Sequence, residues 1–134
     1  MEKALRLMAA CGTCLVGSID ANGYPAIRAM LHPREMDGMK NVFFSTNTSS
    51  SHVAEFQACD KAALYFYDPN LFQGLLLRGH MAVSTDQPLR DRLWRDGDNV
   101  YYQLGVTDPD YSIMLFTAEN GRWYENFTSQ DFRV

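Results

Sequence analysis

Val42-Phe43-Phe44-Ser45-Thr46-Asn47-Thr48-Ser49-Ser50-Ser51-His52 passes from an apolar run directly into a polar tract. Residues 41–46 carry the β-branched and aromatic content of a strand. Ser and Thr oxygens accept hydrogen bonds from the free N–H groups of a helix start, so the tract predicts a helix opening at Ser49–Ser51 and running to Ala58. Val53 and Phe56, three residues apart, form its buried face. A helix start also presents unpaired N–H groups and a partial positive charge. Three serines and a histidine there have two readings: a cap with solvent-facing hydroxyls, or a cradle for phosphate.

Upstream, Asn22-Gly23 separates two apolar runs, Cys14–Asp20 and Tyr24–Leu31. Both turn residues tolerate positive φ, so the pair predicts a β-hairpin. Arg28 interrupts the otherwise apolar second strand. A cation there needs an open face or an anionic partner, and a guanidinium suits phosphate. Residues 2–10 read as a short amphipathic helix, and Asp37-Gly38 as a turn into the strand at Asn41.

Downstream, Lys61–Tyr67 and Leu75–Ser84 read as strands broken at Asp68-Pro69-Asn70. Asp86 and Pro88 start a helix that Asp96-Gly97-Asp98 ends. A last hairpin joins Tyr111–Ala118 to Arg122–Phe127 across Glu119-Asn120-Gly121. The total is six or seven strands and two or three short helices, with hairpins dominating. This pattern predicts a mainly β protein, a single domain over residues 1–134, built as an antiparallel barrel with helices outside it. Regular β-α-β alternation and a G-x-G-x-x-G are both missing, which argues against a dinucleotide-binding Rossmann fold.

The 134 residues carry a formal net charge of −4. No broad cationic field exists to attract nucleic acid or anionic lipid, so an anionic ligand must be held by a few placed donors. No apolar run reaches the roughly 20 residues of a membrane helix, and a cytoplasmic location is expected. Cys11 and Cys14 form a C-x-x-C with no second Cys/His pair to complete a zinc site, and read as small hydrophobes. No metal site is expected. Asp86, Asp91, Asp96 and Asp98 do not match a calcium loop and read as caps and solvated surface. His80 reads as an ordinary strand residue, and His32 as marginal to any site. The aromatics Phe43, Phe44, Tyr65, Phe66 and Tyr67 exceed what one small barrel readily buries, which predicts a dimer.

The succession P-x-I-R-x-M-L, a turn, F-F-S-T-N-T-S-S-S-H and an aromatic strand with Y-F-Y-D-P resembles the FMN-binding split-barrel proteins. These comprise the pyridoxamine 5′-phosphate oxidases and their smaller general-stress-protein branch. The likeness covers most of residues 1–118 in order and spacing. It implies a six-stranded split β-barrel with short flanking helices. It also implies a homodimer with FMN at the subunit interface, and oxidoreductase chemistry on a small molecule. The family's flavin-contacting arginine matches Arg28, and the backbone after it matches Ala29, Met30 and Leu31. Its aromatic-Thr-Asn step matches Ser45, Thr46 and Asn47. Its Ser-Arg-Lys phosphate cluster falls on Ser50, Ser51 and His52, so a hydroxyl and an imidazole stand where relatives have two cations. The family's next lysine falls on Pro33, beside Arg34, and its interface glutamine aligns one place from Gln73. Arg122, Trp123, Asn126 and Arg133 do not match the substrate-binding residues of the oxidase branch, so pyridoxamine phosphate oxidation itself is not expected. The alternatives are a flavin-binding stress-associated module without turnover, and a haem- or deazaflavin-binding relative on the same barrel. The resemblance supplies no catalytic acid or base.

Overall fold

The hairpin at Asn22-Gly23 forms as its chemistry requires. Strands β1 (Thr13–Ile19) and β2 (Pro25–Leu31) pair antiparallel, from Thr13 opposite Leu31 to Ile19 opposite Pro25. Gly23 takes φ +83°, and the Asp20 carboxylate accepts the Asn22 and Tyr24 N–H groups, each at 2.9 Å. The computed structural model describes residues 1–134. Helix α1 (Glu2–Ala10) precedes β1; β3 (Glu35–Asp37), β4 (Asn41–Asn47) and α2 (Ser51–Ala58) follow β2. Then come β5 (Lys61–Asp68), β6 (Gln73–Ser84), α3 (Gln87–Leu93), two 3-10 turns, β7 (Tyr111–Glu125) and β8 (Thr128–Arg133).

Every strand pair is antiparallel. The order is β2-β1-β5-β6-β7-β4-β3, with β8 added to β7. Inward residues of β1, β4, β5, β6 and β7 meet in one buried cluster with Leu7 and Met8 of α1 and Phe56 of α2. A sheet whose strands share a single core must curl on itself, and here it does so without closing. No hydrogen-bonded ladder joins β2 to β4, the strands that closure would bring together. The fold is therefore an antiparallel split barrel. Its eight strands include two short additions, β3 and β8.

Two elements differ from the sequence reading. The final hairpin does not turn at Asn120-Gly121. β7 runs unbroken through both residues, and Glu119 is accommodated as a bulge opposite Arg78 and Gly79 of β6. The turn falls at Asn126 and Phe127, both with positive φ (51° and 62°). Here β7 keeps pairing with β6 as far as Tyr124, and the resulting long ladder outweighs the local turn preference of Asn-Gly. The α3 helix starts as expected, with the Asp86 carboxylate accepting the Leu89 N–H, but ends at Leu93. Asp98 is not solvated surface: it is 4% exposed and accepts both guanidinium nitrogens of Arg34, at 2.6 and 2.8 Å.

Candidate functional site

The seam that leaves the barrel open also holds a cavity. β2 pairs only with β1, and β4 pairs on the β3 side only as far as Phe43. The second edge of β2 and the last four residues of β4 therefore keep main-chain N–H and C=O groups free of any strand partner. Between them lies a cavity of about 250 Å³. Arg28, Ala29, Met30 and Leu31 line one side; Ser45, Thr46 and Asn47 line the other, and His52 closes one end. Two free strand edges facing each other suit a flat heterocycle with its own amide-like donors and acceptors.

Alternation decides which side chains look inward. Ala26, Arg28 and Met30 of β2 are half-buried, while Ile27, Ala29 and Leu31 point out. Arg28 thus faces α2 rather than solvent. It donates to the Val16 carbonyl at 3.1 Å, to the Ser18 hydroxyl at 2.7 Å and to Glu55 Oε1 at 3.1 Å. Ser18 in turn donates to Glu55 Oε1 at 2.6 Å. Burial pulls the Arg28 pKa down, and Glu55 opposes that shift. Glu55, absent from the sequence-based site, is the carboxylate that makes an inward cation tolerable. It lies three residues after His52, on the same face of α2.

His52 Nε2 lies 2.7 Å from the Thr46 hydroxyl and 3.0 Å from that of Ser50. Burial holds its pKa below the usual imidazole value; the Arg28 charge adds to this and Glu55 works against it. The balance favours the neutral form of His52 in the ligand-free protein. Ser50 is the N-cap residue of α2 but does not cap it: its hydroxyl donates to the Asn47 carbonyl at 2.7 Å. Ser51 opens the helix and is exposed. With no side chain capping α2, its first N–H groups remain available to an anion at the His52 end of the cavity. Asn47 commits its side-chain amide to Asp110 at 2.8 Å.

Gln73 lies apart from these residues. It begins β6, donates to Glu125 at 3.2 Å and lines a second, smaller depression with Tyr65, Tyr67, Phe72 and Tyr124. Arg34 touches the cavity, but its charge is held by Asp98. Asp98 feels burial most, which alone raises a carboxyl, yet the bonds from Arg34 and the Arg95 N–H together hold it below its usual range. His32 lines the seam, its Nδ1 2.6 Å from the Cys11 carbonyl. The C-terminal candidates are elsewhere: Arg122 is paired bidentately with Asp131, and Trp123 is buried in the core. Cys14 is buried, which pushes its thiol up to about 12, and all three cysteines are free thiols. His80 has partners that its sequence context did not reveal, Asp60 and Glu119.

Tyr101 and Tyr102 complete the cavity wall and were not visible as site residues in the sequence. They come from the loop between α3 and β7, where no periodicity marks them. Tyr102 is buried, its ring centroid 4.7 Å from that of Tyr111 and 6.0 Å from that of Trp94. That packing leaves the half-exposed Tyr101 at the cavity mouth.

The family model for pyridoxamine 5′-phosphate oxidase matches residues 1–124. A solved protein from Clostridium acetobutylicum, related to general stress protein 26 of B. subtilis and assigned to the pyridoxinephosphate oxidase family, is 38% identical. The alignment covers 99% of this chain and 93% of that one, with a TM-score of 0.91. A pyridoxamine 5′-phosphate oxidase-related, FMN-binding protein from Nostoc punctiforme is 16% identical, covers 99% and 94%, and has a TM-score of 0.74. A heme-binding protein from Mycobacterium smegmatis is 14% identical, covers 98% of this chain and 57% of its own, with a TM-score of 0.78. The last two likenesses concern the fold alone. No curated protein sequence matches. No helix is long and apolar enough to cross a membrane.

Proposed function

This chain belongs to the pyridoxamine 5′-phosphate oxidase family, and we propose that it binds FMN in the seam between β2 and β4 and acts as an oxidoreductase on a small molecule. The observation that carries this reading is the convergence of two unpaired strand edges with an uncapped helix start. The edges of residues 28–31 and 45–47 offer main-chain partners for the polar rim of a flavin ring. The first N–H groups of α2, with Thr46, Ser50 and His52, offer donors for its phosphate. Tyr101 shields the open side. Bound flavin would supply hydride chemistry, while these residues bind it, orient it and limit water access.

The outward face of β2, β1 and β5 supports the companion proposal that two copies associate. Ile27, Leu31, Tyr65 and Tyr67 are all exposed there. Register places them on adjoining strands, with Leu15 between Ala29 and Tyr65. A second copy on this face would bury the strip. Arg122, Trp123 and Arg133 lie outside the seam, which supports a substrate other than pyridoxamine phosphate.

The test is the absorption spectrum of the purified protein, with mass spectrometry of any ligand released on denaturation. Flavin bands and released FMN are the expected result. A Soret band would replace flavin by haem, as in the mycobacterial relative. Reduction by a nicotinamide cofactor and reoxidation by an added electrophile then separate an enzyme from a binding module.

A further inference from the structure

Glu55 stands in an unusual relation to the anion seat. A cavity meant to hold a phosphate dianion gains most from an unpaired cation, yet the one guanidinium facing its His52 end is already matched by a carboxylate 3.1 Å away. Both side chains are largely buried, 21% and 18% exposed, so solvent screens the pair little. Ser18 fixes the arrangement: it is 3% exposed, donates to Glu55 and accepts from Arg28. Val16 takes a further guanidinium proton. His52, the other ionisable group at that end, has Nε2 within hydrogen-bond distance of two hydroxyls, and burial beside Arg28 disfavours its protonation. The end of the cavity thus has donors but almost no net charge.

We propose that Glu55 is a positioning residue that sets ligand selectivity through Arg28: by pairing with the guanidinium it removes most of the cation's pull on phosphate, so the seam holds its ligand mainly by the ring. The inference rests on the flavin reading of the seam. Its consequence is weak discrimination between FMN and riboflavin, which differ only in the phosphate. Neutralising Glu55 frees Arg28 to act on the anion, because a charge-assisted contact is about twice as strong as a neutral one.

The experiment is titration of FMN and riboflavin, by quenching of flavin fluorescence, into wild type, Glu55→Gln and the double variant Arg28→Ala/Glu55→Gln. Glutamine keeps the length and the Ser18 contact, and thermal melts verify folding of each variant. Wild type is expected to prefer FMN by less than about tenfold, and Glu55→Gln to raise that preference by about tenfold or more with riboflavin affinity unchanged. The gain disappears in the double variant. An unchanged or reduced preference in Glu55→Gln overturns the proposal, because a merely structural Glu55 would weaken both ligands alike. A gain that survives in the double variant also overturns it, since Glu55 would then act without Arg28. If wild type binds neither flavin, the flavin reading fails by itself. Inorganic pyrophosphate, followed through the His52 ring signals in NMR, still tests the Glu55 claim: tighter binding by Glu55→Gln supports it and equal binding overturns it.

Discussion

Replacing Arg34 separates structural from ligand-binding arginines. Arg34 stands beside Pro33, the position where the family resemblance places a lysine, and it touches the seam. Its guanidinium, however, makes two bonds to Asp98, at 2.6 and 2.8 Å, with side chains 12% and 5% exposed. Asp98 also accepts the Arg95 N–H at 2.9 Å, so this pair anchors the loop that leads to Tyr101 and Tyr102. Arg34→Met leaves a buried carboxylate without its cation, and Asp98→Asn leaves a buried guanidinium without its anion. Breaking such a pair from one side costs about 3–5 kcal/mol. For a chain of this length that is a fall in Tm on the order of 10–18 °C. Arg34→Met/Asp98→Asn contains neither orphaned charge and keeps an acceptor for the Arg95 N–H. Its loss is expected to be smaller than the sum of the single losses by about 1–3 kcal/mol. The sign with pH follows from the depressed Asp98 pKa: the pair's stabilisation is present above the unfolded carboxylate value and is lost as pH falls through the folded one. The assay is urea denaturation of the four proteins at neutral pH and below pH 4, with FMN and riboflavin titrations alongside. Additive losses, or a drop in FMN preference without a drop in stability, would refute the structural assignment of Arg34.

Other consequences are equally specific. His52 should titrate below the ordinary imidazole range in ligand-free protein and move up in Arg28→Ala, which removes a repulsive charge while leaving Glu55; an NMR titration with no upward movement contradicts the geometry. Gly79→Ala should destabilise by about 1–3 kcal/mol or more, because a Cβ there meets the Thr117 carbonyl oxygen at 1.9 Å in backbone that cannot move away. Gly74→Ala should cost less, since its Cβ meets the tip of Tyr65; equal melting temperatures for the two variants would contradict this. Ile27→Lys should shift the protein from dimer to monomer in sedimentation if the outward face of β2 pairs with a second copy, and an unchanged dimer would move the interface elsewhere.

The features that could be read from the sequence are those governed by neighbours along the chain. The Asn22-Gly23 hairpin and the Asp86 cap formed as their local chemistry predicts, and α2 begins within the Ser/Thr tract as expected, although no side chain caps it. Eight of the eleven residues assigned to the cofactor line one cavity, because β2 and β4 carry them as continuous runs. Ser50 sits beside that cavity with its hydroxyl turned to Asn47, Ser51 is exposed at the helix start, and Gln73 lies in a different depression. What escaped the sequence depends on long-range partners. Glu55 is an ordinary helix residue until Arg28, 27 residues earlier, is folded against it. Asp98 looks like a loop acid until Arg34 reaches it across 64 residues. Tyr101 and Tyr102 sit in a loop whose position is fixed by packing on Trp94 and Tyr111. Asn120-Gly121 carries the strongest local turn signal in the C-terminal third, yet pairing with both β6 and β8 keeps it in a strand.

The flavin seat proposed above is the seam between β2 and β4. It is tested most directly by adding FMN to isotopically labelled protein and following every backbone amide by NMR. The predicted perturbations lie at Ala29–Leu31, Ser45–Asn47 and the first residues of α2, Ser51 to Val53, and saturate at one FMN per chain. Saturable binding that leaves these amides unmoved while shifting others, or no shift at all with FMN in excess, would contradict the claim.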